Sequence, residues 1–183
     1  MADSERRILL DEQGVRRAMA RMARELIEQV GGVEDLALIG IHRRGVDLAS
    51  WLAAEIERAE GHPVSTGSLD ITLYRDDLMA IGPRPIVGET RLPKEGIEGK
   101  VVAIVDDVLF TGRTVRAALD ELTDFGRPRR ILLCVLVDRG GRELPIHADV
   151  VGKLITVDPR DRVEVLVPEV DGRLEITLVP ADA

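Results

Sequence analysis

The chain has 183 residues, which suits one domain or a compact core with an appended lobe. Its net charge of −8, from 25 basic and 33 acidic residues, excludes a uniformly basic nucleic-acid-binding surface and allows only a local basic patch. Aromatic residues make up 2 % against 45 % hydrophobic, so the core must come from Leu, Ile, Val and Ala, and a sheet that stacks nucleic-acid bases is disfavoured.

Residues 1–7 are charged and lack the apolar stretch of a signal peptide. Val15, Ala18, Met19, Met22, Ala23, Leu26, Ile27 and Val30 recur at alternating gaps of three and one, the period of a helix with one buried face. Gly31 and Gly32 end it. Residues 36–41 read as a short buried strand and residues 45–58 as a second helix burying Val46, Ala49, Leu52, Ala53 and Ile56. Leu69, Ile71 and Leu73 alternate with Asp70, Thr72 and Tyr74, which predicts a two-faced strand. Residues 75–99, rich in proline, glycine and charge, read as a long surface loop or mobile hairpin, and loops of that length tend to be functional.

Residues 101–105 are continuously apolar and predict a buried parallel strand. A helix follows over 114–123, then a buried strand over 131–137 and shorter strands over 149–154, 163–167 and 174–179. The alternation predicts an α/β fold: a mostly parallel central sheet with helices on both faces, its ligands at the carboxyl ends of the strands. We expect a single unit over 1–183. The single cysteine, Cys134, lies within an apolar run, so no disulfide forms within the chain, which fits a reducing cytoplasm. No run of about 18 apolar residues is present to cross a bilayer.

The chemistry concentrates after the strand at 101–105. Asp106 and Asp107 stand at its end, Val108, Leu109 and Phe110 follow, and Thr111, Gly112, Arg113 and Thr114 lead into the next helix. Small residues at a helix N-terminus let N–H groups and hydroxyls converge on a phosphate. Carboxylates repel phosphate but accept from sugar hydroxyls. Acid-acid, loop and phosphate nest, in that order, match a ribose 5-phosphate laid along the loop. Thr-Gly-x-Thr alone is weak, and paired acids after a strand can be a solvated turn; the whole pattern is far more specific. A second basic loop, Gly40-Ile41-His42-Arg43-Arg44-Gly45, opens a helix and suits another anion, since guanidinium groups bind phosphate bidentately. A solvated helix start is the plainer alternative there.

The segment from Val101 to Val115 closely resembles the phosphoribosyl-pyrophosphate-binding motif of the type I phosphoribosyltransferases. The resemblance implies that Asp106 and Asp107 hold the ribose hydroxyls, that Thr111 through Thr114 bind the 5-phosphate with Val108, Leu109 and Phe110 also in the substrate-binding loop, and that Mg²⁺ is held mainly by substrate oxygens rather than by a protein cage. Three further strings extend it over nearly the whole chain: the Arg43-Arg44-Gly45 loop, Tyr74-Arg75-Asp76-Asp77-Leu78, and Asp138-Arg139-Gly140-Gly141-Arg142-Glu143-Leu144-Pro145. Together they resemble the branch of that family formed by bifunctional pyrimidine operon regulators with uracil phosphoribosyltransferase activity. By that resemblance Arg43 and Arg44 contact substrate phosphates, Arg139 lies at the base, the backbone near Val163 reads the uracil edge, Arg75 belongs to a flexible cover with a catalytic part, and a small hood completes the site. The partners implied are phosphoribosyl pyrophosphate, uracil, UMP and a leader RNA, with the protein a homodimer or larger assembly. His42 and Gly141 depart from the pattern, His42 where a smaller polar residue is usual and Gly141 where a histidine is frequent. The motif alone leaves open a purine-specific enzyme, and an enzyme without an RNA role.

For RNA, Arg17, Arg21 and Arg24 share one helical face opposite the apolar stripe, with Arg142 and Lys153 as extensions, in the regions where the resemblance places the RNA surface. Glu25 and Glu28 stand four residues beyond Arg21 and Arg24, so ion pairs along the helix are the competing use of these arginines.

Overall fold

The structure, a computed structural model, describes residues 6–74 and 88–181. The elements in chain order are β1 (Arg7–Leu10), α1 (Glu12–Val30), β2 (Leu36–Ile41), α2 (Arg44–Glu60), β3 (Ser65–Leu69), β4 (Val101–Leu109), α3 (Arg113–Thr123), β5 (Arg130–Asp138), β6 (Val150–Leu154), β7 (Arg162–Leu166), α4 (Pro168–Asp171) and β8 (Glu175–Val179). Five of the strands form a parallel sheet in the order β3-β2-β4-β5-β6, and the other three form an antiparallel sheet in the order β1-β8-β7.

Near-continuous apolar strands are what a sheet covered on both faces requires. Leu36, Leu38, Val101, Ala103, Leu132 and Cys134 pack with the buried stripes of α1 and α2 on one face, while Ala37, Ile39, Val102, Ile104, Leu133 and Val135 pack with α3 on the other. Helix α1 starts where Asp11 accepts from the Gly14 N–H at 2.8 Å and ends at Gly31 in the left-handed conformation, so both termini carry their expected caps. The small antiparallel sheet is the hood. Its Val163, Val165, Ile176 and Leu178 belong to the same apolar cluster as α1 and α2, which seats it on that side of the central sheet.

The sequence reading departs from this fold in four places. The strand expected over 69–74 lies upstream at Ser65–Leu69, and Thr72–Tyr74 is a short 3-10 turn. The edge strand is disguised by small polar residues because the chain at 91–92 presses on it: a Cβ on Gly67 would lie 2.6 Å from the Arg91 carbonyl oxygen, and Ser68 bridges Arg91. Strand β4 runs to Leu109, four residues beyond the apolar run, so both aspartates lie within it. Strand β1 and helix α4 carry no clear period and were not expected. Of the loop expected over 75–99, residues 75–87, including Arg75, lie outside the described residues; beyond them Ile97 is fully buried. No helix of the described residues is long and apolar enough to cross a membrane.

Candidate active site

Parallel strands end on one side of their sheet, and the carboxyl ends of β2, β3 and β4 together form a cavity of about 590 Å³. His42 and Arg43 line it from the loop after β2, Asp70 and Thr72 from the loop after β3, and Asp106, Asp107, Val108 and Thr114 from the end of β4 and the start of α3. The close approach of these loops depends on glycine. A Cβ on Gly45 would lie 2.5 Å from the Val105 carbonyl oxygen, so only glycine lets α2 begin this near the end of β4.

Asp106 is buried and Asp107 half-buried. Burial, and then the neighbouring Asp107, push the Asp106 carboxyl well above the ordinary range; burial also raises Asp107, against stabilising bonds from Asp106, the Val108 N–H and the charge of Arg44. The Asp107 N–H donates to Asp106 Oδ1 at 2.9 Å and the Val108 N–H to Asp107 Oδ1 at 2.8 Å, fixing both side chains locally. Two carboxylates held this close favour a ligand that supplies donors or positive charge.

The loop after β4 is braced from the chain beyond β5. The Glu143 and Leu144 N–H groups donate to the Thr111 carbonyl at 2.9 and 3.1 Å, and Arg142 Nη1 to the Phe110 carbonyl at 2.9 Å. Arg113 Nε meets Glu143 at 2.6 Å. Gly112 takes a φ of 92° and gives α3 no side-chain cap of its own; the Arg113 N–H donates to Thr111 Oγ1 at 3.3 Å, so hydroxyl and amide groups gather at a helix start of the kind that suits an anion. Leu109, the last residue of β4, is buried in the apolar cluster on the α3 face. Gly141, a departure from the family pattern, has a φ of 77°, and a Cβ there would lie 2.4 Å from the Phe110 ring; glycine lets that ring pack against the loop.

A second cleft of about 430 Å³ adjoins the first and shares Asp107 with it. Arg6, Arg44, Val163, Leu166 and Asp171 also line it, so β7 of the hood forms its far wall. The structure therefore brings together Arg43, Asp106, Asp107, Val108 and Thr114 in one cavity, and Arg44, Asp107 and Val163 in the next. Sequence reasoning missed Asp70, Thr72 and Asp171; the misplaced third strand hid the first two.

Three arginines take roles that their sequence positions did not reveal. Arg44 is bonded to Asp171, with Nη2 to Oδ1 at 3.0 Å. Arg139 is buried, lies 3.9 Å from the centre of the Phe110 ring, and donates to the carbonyls of Asp161 and Asp158 at 2.7 and 3.0 Å. Arg142 donates through all three guanidinium nitrogens, to Ile146, Phe110 and Asp138, and belongs to the loop rather than to an open surface. On α1, Arg21 donates to the carbonyls of Val151 and Gly152 and closes part of the β6 edge. Arg17, Arg24 and Lys153 are exposed, and among the described residues none of them forms an ion pair.

Comparison with known proteins agrees with this geometry. Residues 6–170 match the phosphoribosyl transferase domain family. The bifunctional protein PyrR of Thermus aquaticus is 55 % identical over 170 residues, 93 % of each chain, and that of Pelotomaculum thermopropionicum is 50 % identical over 171 residues, 93 % of this chain and 94 % of that one. Among solved structures, hypoxanthine phosphoribosyltransferase from Trypanosoma cruzi superposes with a TM-score of 0.73 at 23 % identity, over 96 % of this chain and 97 % of the other, a likeness of fold. The chain thus belongs to the phosphoribosyltransferase family with the type I fold, and within it to the group of the bifunctional protein PyrR.

Proposed function

We propose that the protein is a uracil phosphoribosyltransferase, converting uracil and phosphoribosyl pyrophosphate to UMP and pyrophosphate, and that it regulates pyrimidine genes by UMP-dependent binding to leader RNA. The observation that carries the enzyme reading is the adjacent pair of buried Asp106 and half-buried Asp107 near the end of β4, lining one cavity with Thr114 at the start of α3. The ribose hydroxyls donate to the two carboxylates, and the 5-phosphate rests on the loop from Thr111 to Thr114. Arg43 faces the pyrophosphate. Uracil lies in the second cleft, its edge against the backbone of β7 near Val163.

Mg²⁺ fits this chemistry. Asp106 and Asp107 set two carboxyl groups side by side at the end of β4 and the rim of the cavity, hard oxygen donors of the kind that suit Mg²⁺. The ion would be held mainly by substrate oxygens, with Asp106 and Asp107 as the nearest carboxyl groups, and would supply positive charge to stabilise the departing pyrophosphate. Uracil, having lost its N1 proton to solvent water, attacks the anomeric carbon through N1 as the bond from that carbon to the pyrophosphate oxygen breaks and pyrophosphate leaves. The protein's contribution is orientation of the two reactants and exclusion of water from a reactive carbon.

The RNA surface is the exposed side of α1 with Arg17 and Arg24, extended by Lys153 on β6; Arg21 and Arg142 support the fold around it. The assembly is a homodimer or larger, and its setting the cytoplasm. The test offers uracil, hypoxanthine and guanine together with phosphoribosyl pyrophosphate and Mg²⁺. UMP is the expected product; preferential formation of a purine nucleotide overturns the base assignment.

A further inference from the structure

Strand β7 stands at the edge of the hood, so one row of its backbone groups is not used by the small sheet and faces the second cleft. Two guanidinium groups fix the chain on either side of it. After β7, Arg44 holds Asp171 through two bonds, Nη2 to Oδ1 at 3.0 Å and Nε to Oδ2 at 3.2 Å. Asp171 Oδ2 also accepts the Val167 N–H at 2.8 Å, one residue past the end of the strand. Before β7, Arg139 holds the carbonyls of Asp158 and Asp161.

The origins of the two arginines matter more than the bonds. Arg44 directly follows Arg43, which lines the first cavity, and its charge also acts on Asp107. Arg139 packs on Phe110, whose carbonyl belongs to the braced loop before Thr111. Each end of β7 is therefore tied to a different loop of the phosphate and ribose cavity. Planar bidentate pairing of this kind fixes angle as well as distance.

We infer that Asp171 is a positioning residue: by clasping Arg44 it sets the β7 edge against the base, so that the hood is held in register with the occupied pyrophosphate loop. This rests on the reading of the second cleft as the base site. Arg44, expected from the sequence to meet substrate phosphate, acts instead through Asp171 on the opposite end of the substrate. A pair that merely stapled the fold would alter thermal stability and leave the balance between the two substrates unchanged.

The test has one arm without substrate and one with it. In Asp171→Asn, hydrogen exchange is measured along the chain; amides 163–167 are expected to exchange faster while those of β4 and β5 keep their rates. Equal exchange at 163–167 in the two proteins overturns the clasp. With substrates, KM for uracil is expected to rise about tenfold with KM for phosphoribosyl pyrophosphate within about twofold, a coupling of ordinary size. Asp171→Glu is expected to recover most of the uracil affinity, and Arg44→Met added to Asp171→Asn to cost little more, because the two residues act as one unit. Equal rises in both KM values, or additive effects in the double variant, overturn the inference. Absence of UMP formation by the unaltered protein refutes the proposed base instead, and the exchange arm then decides the clasp by itself.

Discussion

The end of β4 and the hood face each other across the second cleft, yet they are assembled in different ways. At β4 the acids, the loop and the helix start are consecutive in the chain, and the sheet around them is covered on both faces. The hood joins residues from both ends of the described chain, β1 with β7 and β8, and meets the phosphate side through pairs such as Arg44–Asp171, 127 residues apart. The first is a local motif fixed by strand and helix geometry. The second is seated by the apolar cluster it shares with α1 and α2 and tied to the phosphate side by a few guanidinium bonds, and substrate affinity is more easily tuned there than chemistry.

The largest effect should come from the local motif. Asp106→Asn with Asp107→Asn is expected to lower kcat/KM by about a thousandfold, measured as UMP formation, since it removes the charged acceptors aimed at the ribose. An unchanged rate would show that the ribose lies elsewhere. Next, Gly45→Ala forces a methyl group against the Val105 carbonyl, and overpacking of this kind costs about 1–3 kcal/mol. Thermal unfolding should shift down by several degrees, and KM for phosphoribosyl pyrophosphate should rise as the loop before α2 is displaced.

The hood should respond to acid. Asp171 is partly buried, which pushes its carboxyl up, but the Arg44 bond and the Val167 N–H outweigh burial and hold it below the ordinary value. The folded state thus binds this proton less readily than the unfolded chain, and the stability it contributes is present above the usual carboxylate range and lost as pH falls through the lowered folded value. Asp106 has the opposite sign. Its folded value is raised, so the fold binds the proton more readily, and stability declines as pH rises from the usual carboxylate value through the raised one. Asp106→Asn should therefore melt higher than the unaltered protein at pH 8, with the gain shrinking toward pH 4, in scanning calorimetry. The smallest effect is expected on α1: Arg17→Ala with Arg24→Ala should weaken RNA binding and reduce its salt slope by about two, one for each phosphate that is no longer neutralised.

The same contrast explains what was legible in the sequence. Apolar periodicity placed α1, β2, α2, β5 and the core of β4, because burial on two faces or one stripe writes itself directly into residue type. The Asp106–Thr114 motif was readable because its parts are contiguous. Strand β3 was misplaced because close packing at the edge selects small residues such as Gly67 and Ser68 over β-branched ones. The partners of Arg44, Arg139 and Arg142 were not readable, since an arginine spent on backbone carbonyls and one offered to a phosphate are spelled alike. Only the folded chain separates Arg17 and Arg24, which stand open on α1, from Arg21 and Arg142, which are bonded to backbone carbonyls.

One pocket is expected to serve both catalysis and regulation. The most direct test is a titration of leader RNA from the protein's own pyrimidine operon, at one fixed salt concentration, with and without UMP, in the unaltered protein and in Asp106→Asn with Asp107→Asn. UMP should tighten RNA binding in the unaltered protein and have no effect in the double variant, because a ligand shifts affinity at a second site only by binding the two states unequally. RNA affinity indifferent to UMP, or a UMP response that survives loss of both carboxylates, would contradict a shared pocket.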